Sequence, residues 1–371
     1  MRRLIYFFSL LPMLFIAGWL TEPVQTEEQL SQTDGPYIFY RKDTIFIHAV
    51  YEGGTLRQLR TDTGFTAAKK EIRLTVPTGN PHEFFTVNLK GRLSQEKTEF
   101  RKVPRQLAIS DMEGDLKGFL RLLKGNKVID QQLNWTFGDG HLVLTGDFFD
   151  RGKQVTELLW FIYSLEEKAK EAGGYVHFIL GNHEIMNLNG DFRYVHPRYM
   201  EHAALMKLDY LSLFDERSEL GRWLRTKNIV EKVGEVLYMH GGISAEVNLF
   251  NAAAPKINEL ARPYYGDTSY RYPDVYVEIL YSELGPFWYR GYYTGAPKAT
   301  EAQIDSTLAI FGARYIATGH TIIRDTISTW FNNKLFNTDV PHSKGFSEGL
   351  LIEKGKFYRV SETGERFLIA G

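Results

Sequence analysis

The stretch "VLTGDFFDRG", residues 143–152, sets an apolar run against a sudden concentration of charge. Val143 and Leu144 read as the end of a buried strand, and Gly146 breaks it. Asp147, Asp150 and Arg151 follow at once. Carboxylates at the end of a buried strand are costly unless something pairs with them. The partner is a counter-charge on the chain, a metal or an anionic substrate.

The same ending recurs along the chain. "QLAIS" runs into Asp111-Met112-Glu113, "VHFILG" into Asn182-His183-Glu184, "VLYM" into His240-Gly241-Gly242 and "YIATG" into His320. Each motif alone is weak: a lone histidine after a strand is usually a satisfied core residue, and D-x-E on a loop is usually a turn or a helix cap. Five such endings point to one place, because α/β sheets assemble their sites at the C-terminal ends of strands.

Between these runs lie helical patterns, so the chain after Pro104 reads as an α/β layer architecture. The clearest helix spans 155–171, with Leu158, Leu159, Phe161 and Ile162 on one side and Gly173-Gly174 after its end. Residues 187–228 read as a helical insert able to cap a site. The C-terminus returns to strands. Asp115 and Lys117 read as capping and surface groups at the start of a helix.

Residues 37–100 are different. "YIFYRK", "TIFIHAVYE", "EIRLTVP" and "EFFTVNLKG" alternate in the manner of short strands and predict a small β-rich N-terminal module without a chemical cluster. Residues 21–36 are polar and aperiodic and read as a linker. Residues 1–20, "MRRLIYFFSLLPMLFIAGWL", place Arg2 and Arg3 before an apolar run. That pattern predicts a signal peptide or signal anchor, and hence an exported chain, periplasmic or membrane-anchored and facing outward.

Composition narrows the classes. The chain has 371 residues, 43% hydrophobic and 24% charged, enough for a packed core. A net charge of −1 offers no global field for nucleic acid, so none is expected as a partner. There are no cysteines, which excludes disulfides, thiolate metal sites and a cysteine nucleophile. The remaining donors, Asp, Asn and His, suit first-row divalent ions. Their number suffices for two ions sharing a carboxylate, a standard device for displacement at phosphorus.

The ordered set Asp111-x-Glu113, Gly146-Asp147-x-x-Asp150-Arg151-Gly152, Gly181-Asn182-His183-Glu184, His240-Gly241-Gly242 and Gly319-His320 resembles the calcineurin-like metallophosphoesterases. Asp150-Arg151-Gly152 and Glu184 resemble the phosphoprotein-phosphatase type. "ELGRWLRTK" (219–227) and "GPFWYRGYY" (285–293) resemble the bacterial Shewanella-like phosphatases. The resemblance spans roughly 105–355 and implies a four-layer α/β/β/α sandwich over about 101–371.

It also implies roles. Asp111 and Glu113 would bind a first metal, Asp147 would bridge, and Asn182, His240 and His320 would bind a second. His183, oriented by Asp150, would protonate the leaving group, and Arg151 and Arg290 would hold phosphoryl oxygens. The nucleophile would be a metal-bound hydroxide, the cofactors two divalent ions (Mn or Fe first, Zn or Mg next), and the substrate a phosphate monoester on a phosphopeptide, phosphotyrosine or small molecule. A nucleotide or dinucleoside polyphosphate stands as the alternative substrate.

One position departs from the family, which usually has histidine where this chain has Glu113. Either the carboxylate ligates as a harder donor, or it swings away. The competing reading is a membrane-tethered pseudoenzyme that binds metal or phosphate. His177 reads as a core histidine, and His196 and His202 as surface residues of the insert, with His196 able to line the site. Asn187 and Asp191 are weighed as substrate contacts, and Tyr292 and Tyr293 as pocket walls or packing residues. "NWT" at 134–136 fits a glycosylation acceptor.

Overall fold

A computed structural model describes residues 32–53 and 56–371. The apolar stretch at 1–20 and most of the polar segment after it lie outside the described residues. No helix among the described residues is long and apolar enough to cross a membrane.

The described residues open with an antiparallel three-stranded sheet, β1 (Thr33–Arg41), β2 (Thr44–Gly53) and β3 (Leu56–Phe65). A two-stranded ribbon follows, β4 (Arg73–Pro77) and β5 (Phe84–Asn88). The short β6 (Glu99–Phe100) pairs in parallel with a strand of the second half, described below. β1 begins at Thr33, inside the stretch whose sequence reads as linker, because Asp34 is buried against His202.

The main body starts with β7 (Arg105–Ile109), α1 (Leu116–Gly125), β8 (His141–Leu144), α2 (Val155–Glu171) and β9 (Tyr175–Phe178). These three strands are parallel, paired Ala108 to Val143 and Val143 to His177. The helical stretch holds α3 (Asn182–Asn189), α4 (Pro197–Leu205) and α5 (Glu219–Leu224). The second half contains β10 (Val230–Val233), β11 (Val236–Met239), α6 (Ala245–Asn248), α7 (Ala254–Ala261), α8 (Val275–Tyr281), α9 (Glu301–Phe311), β12 (Tyr315–Thr318), β13 (Ser328–Trp330) and β14 (Leu335–Asn337). The chain ends in β15 (Glu348–Glu353), β16 (Lys356–Ser361) and β17 (Arg366–Ala370).

Two six-stranded sheets result, ordered β17-β16-β15-β7-β8-β9 and β13-β14-β12-β11-β10-β6. They pack face to face. Ala108, Val143, Leu350 and Phe357 of one meet Val233, Val236, Tyr238, Ala317 and Phe336 of the other in one apolar layer. The Tyr238 hydroxyl donates to Gln106 Oε1 across that layer at 2.8 Å. α1 and α2 cover the outer face of the first sheet, and α7 packs on β10 of the second. This is the α/β/β/α sandwich, with N-terminal strands added.

α2 is amphipathic in sequence yet buried on almost every face from Val155 to Glu166. Its second face is covered by the N-terminal strands. Trp160 Nε1 donates to the Pro36 carbonyl at 2.7 Å, and Phe161 meets Phe85 edge to face. His202, expected at the surface, is fully buried, and its Nδ1 hydrogen-bonds Asp34. His196 is half-buried and caps α4, its Nδ1 accepting from Arg198 N. His177 is a core residue between His141 and Glu231.

Candidate active site

The parallel strands β7, β8 and β9 end on the same side of the sandwich as β11 and β12, so the five polar endings converge. Asp111, Glu113, Asp147, Arg151, Asn182, His183, Arg290 and His320 line one cavity of about 830 Å³. His240 lies in its buried floor, and Asp150 lies behind His183.

The turns leaving the strands are bent into a region of the backbone that L-residues avoid. Asp111, Glu113, Asp147, Asp150, Arg151 and His320 all have φ between 46° and 70°. Each such residue costs about 1–3 kcal/mol and persists only where its surroundings hold it. Glu184, fully buried, is one such holder. Its carboxylate accepts from the backbone amides of Asp147 (2.9 Å), Phe148 (2.8 Å) and Gly181 (2.7 Å). Gly146 must be glycine: at φ +91° an added Cβ would sit 2.6 Å from the Gly181 backbone.

Protons can be placed from partners. His240 Nδ1 lies 2.7 Å from the Thr145 carbonyl, which only accepts, so Nδ1 carries hydrogen. His240 Nε2 then faces Asn182 Oδ1 at 3.0 Å and Asp147 Oδ2 at 3.1 Å. Burial opposes a charged ring, but Asp147 outweighs it and brings His240 up to about 9, so Nε2 takes up a proton at a point where a cation would take its place. His320 Nε2 lies 3.1 Å from the Trp288 carbonyl, which leaves Nδ1 as its lone pair. Donor atoms of Asp147, His240 and His320 all lie within 4.8 Å of one another.

The charges lean the same way. Burial, then the neighbouring Asp147 and Glu113, push the Asp111 carboxyl up to about 7. Burial likewise raises Glu113, against the pull of Arg151. Asp147 is held low despite burial, by His240 and His183. Convergent acceptors and crowded carboxylates are what a cation relieves, so this donor set fits divalent metal.

The other side of the cavity suits proton transfer and anion binding. His183 Nδ1 is 2.6 Å from Asp150 Oδ2, so Nε2 is the free nitrogen. Burial lowers the His183 pKa, but Asp147 and then Asp150 outweigh it and bring the ring up to about 9. Asp150 also accepts from Asn187 Nδ2 at 2.8 Å, and Asn187 Oδ1 accepts from Tyr210 at 2.6 Å. Asn187, weighed as a substrate contact, is therefore a buried link in the chain that orients His183. Arg290 Nη1 donates to the His320 carbonyl (2.5 Å) and to Thr321 Oγ1 (3.1 Å), with the residue otherwise exposed. Arg151 is paired with Glu113.

Residues 104–324 match the calcineurin-like phosphoesterase family. The chain belongs to that family. It is 29% identical over 300 residues to Shewanella-like protein phosphatase 2 of Arabidopsis thaliana, covering 68% of this chain and 75% of that protein. It is 29% identical over 187 residues to the symmetrical bis(5'-nucleosyl)-tetraphosphatase of Methylococcus capsulatus, covering 47% of this chain and 58% of that protein. The crystal structure of a cold-active protein-tyrosine phosphatase of a psychrophilic Shewanella species superposes with a TM-score of 0.81 at 35% identity, over 91% of this chain and 99% of that one. The protein is thus a metallophosphoesterase, and nothing in the site or its relatives favours a pseudoenzyme.

Sequence reasoning missed three participants. Tyr210 and Asp339 gave no motif, Asp339 being one carboxylate after a short strand. Tyr194, exposed, lays its ring against His183 with centroids 5.1 Å apart. It lies in "DFRYVHPRY", where only His196 was weighed. Tyr292 and Tyr293 are buried packing residues. Asp191 is engaged by Arg193.

Proposed function

We propose that the protein is an exported phosphatase that hydrolyses phosphate monoesters, with phosphotyrosine-bearing substrates preferred, using two divalent ions with Mn or Fe first in line. The observation that carries the reading is the juxtaposition of a cation-demanding donor set with the His183–Asp150 pair and two guanidiniums in one cavity.

Asp111, Asp147, Asn182, His240 and His320 would hold the ions, with Asp147 between them. When bound, such a pair polarises a phosphoryl oxygen and lowers the pKa of water toward neutrality. The chain supplies the rest. Arg290, anchored to the loop of His320, presents its remaining N–H groups to phosphoryl oxygens, and Arg151 does so opposite it. His183, kept protonated by its carboxylate neighbours, gives its Nε2 proton to the departing oxygen. Asp150 holds that ring in register, and Tyr210 and Asn187 hold Asp150.

Two aromatic rings packed against histidines of the site support an aromatic leaving group. The exposed Tyr194 ring borders His183, and the Trp288 ring stands edge-on to His320. The similar Shewanella protein, itself a protein-tyrosine phosphatase, supports the same substrate class. The basic, apolar start at residues 1–20 supports export, which places the substrate outside the cytoplasm. The test is a substrate panel with the Mn(II)-loaded chain. We expect a phosphotyrosine peptide to exceed a phosphoserine peptide and diadenosine tetraphosphate at least ~10-fold in kcat/KM, about 1.4 kcal/mol. A preference for the tetraphosphate would overturn the substrate reading, and silence on every ester with every divalent ion would overturn the whole.

A further inference from the structure

We propose that Asp339 is a fourth carboxylate of the cation centre and completes the donor set around the ion that Asp111 would hold. This rests on the reading of the cavity as a cation centre and goes beyond the ligands its motifs supply.

Asp339 is 4% exposed and lines the same cavity as Asp111, Glu113 and Asp147. Its Oδ1 has no hydrogen-bond partner. A bare carboxylate oxygen in a buried wall is a departure from the rule that buried polar atoms are paired, and calls for a partner from outside the chain. Its backbone does not need the carboxylate. Asp339 N donates to Asn337 Oδ1 at 2.9 Å, and Asn337 Nδ2 donates to the Thr321 carbonyl at 2.8 Å. Thr338 Oγ1 donates to the Thr318 carbonyl at 2.9 Å and lies 3.0 Å from Ser110 Oγ, whose hydroxyl can donate to it. The segment is thereby stitched to the residue before Asp111 and to both sides of His320.

Charge completes the case. Asp111, Glu113, Asp147 and Asp339 face one cavity, against Arg151 and Arg290. Arg151 is already matched by Glu113. Arg290 and the protonated His183 are then left for three carboxylates. Burial, then Asp111, Asp147 and Glu113, raise the Asp339 carboxyl well above its usual range. Glu113, where the family usually has histidine, is committed to Arg151, and Asp339 is the carboxylate left without a match. The result is an asymmetric pair of sites, one rich in carboxylate oxygen and one carrying His240, His320 and Asn182. The first should prefer hard Mn(II) or Mg(II) over Zn(II).

The test is calorimetric titration of Mn(II) into the metal-stripped full chain, with thermal unfolding measured alongside. The wild type should take up two equivalents. Asp339→Asn should keep one and bind the other about 10–100-fold more weakly. Its metal-free Tm should stay level or rise, since a surplus buried charge has gone, while its Mn(II)-induced gain shrinks. Asp339→Glu should restore part of the affinity. Two wild-type equivalents in Asp339→Asn would overturn the proposal, as would a variant that loses metal-free stability or cannot be purified folded, since the carboxylate would then be structural. If Asp147→Asn loses Mn(II) and Asp339→Asn does not, only this inference falls. If the wild type binds no divalent ion and hydrolyses no ester, the functional reading falls with it.

Discussion

Two buried ionic clusters in this molecule have opposite character. Beneath α5, Lys227 donates to Glu166 at 2.5 Å and to Glu96 at 2.8 Å, Lys90 pairs with the other oxygen of Glu166, and Trp223 Nε1 adds a bond at 3.0 Å. Two ammoniums meet two carboxylates. At the strand ends, four carboxylates crowd two guanidiniums, an oxygen of Asp339 is bare, and the Asn182 and Asp147 oxygens converge on His240 Nε2. The first cluster is complete within the chain, so it fixes structure. The second is complete only with something added, so it is where chemistry is placed.

Single substitutions should separate the two. The largest effect is expected from Asp147→Asn, which removes the carboxylate proposed to lie between the two ions. Hydrolysis of an aryl phosphate should fall below detection, with Mn(II) uptake lost in calorimetry and the fold retained by circular dichroism. His183→Asn should leave metal content intact and lower kcat about 10²–10⁴-fold. The loss should be greater for an alkyl than for an aryl phosphate, because a phenolate leaves more readily without a proton. An equal loss on both would remove His183 from the acid role.

Breaking the balanced cluster should act on stability alone. Lys227→Met leaves Glu166 and Glu96 without their shared cation and should cost about 3–5 kcal/mol in urea unfolding. kcat per folded molecule should be unchanged, and a drop in kcat would mean that the two clusters communicate. A smaller effect concerns pH. Burial pushes His342 down to about 4 from an ordinary 6.5. Between those values the unfolded chain binds a proton that the folded chain does not, so stability rises with pH across that window and falls as the solution is acidified. The slope contributed by one such group cannot exceed ~1.4 kcal/mol per pH unit. His342→Gln should flatten that part of the stability profile, and an unchanged profile would show that the ring is not buried neutral.

The sequence exposed the site better than its supports. Five strand endings could be read because the signal is local: an apolar run, a glycine and a donor. Helix α2 could be read for the same reason, by its spacing. His202 could not, since its partner Asp34 is 168 positions away and nothing near His202 announces burial. β3, "LRQLRTDTGF", escaped notice because it is largely polar and lacks a clear apolar face. Asp339 escaped because a single aspartate near a turn is the commonest of surface signals, and only the tertiary fold brings it to the cavity that Asp111 lines.

The cover that the N-terminal strands give to α2 has a practical side. The family match begins at residue 104, which invites a fragment trimmed to that boundary. Such a fragment would strip Trp160, Phe161 and Tyr163 of Pro36, Phe85 and Lys90. Each aromatic would regain a share of its roughly 150–250 Å² of surface, a sticky flank on a helix that begins just past Asp150. Expression of the shortened chain should end in inclusion bodies, and its catalytic loop would lose its footing before any ligand residue had been touched.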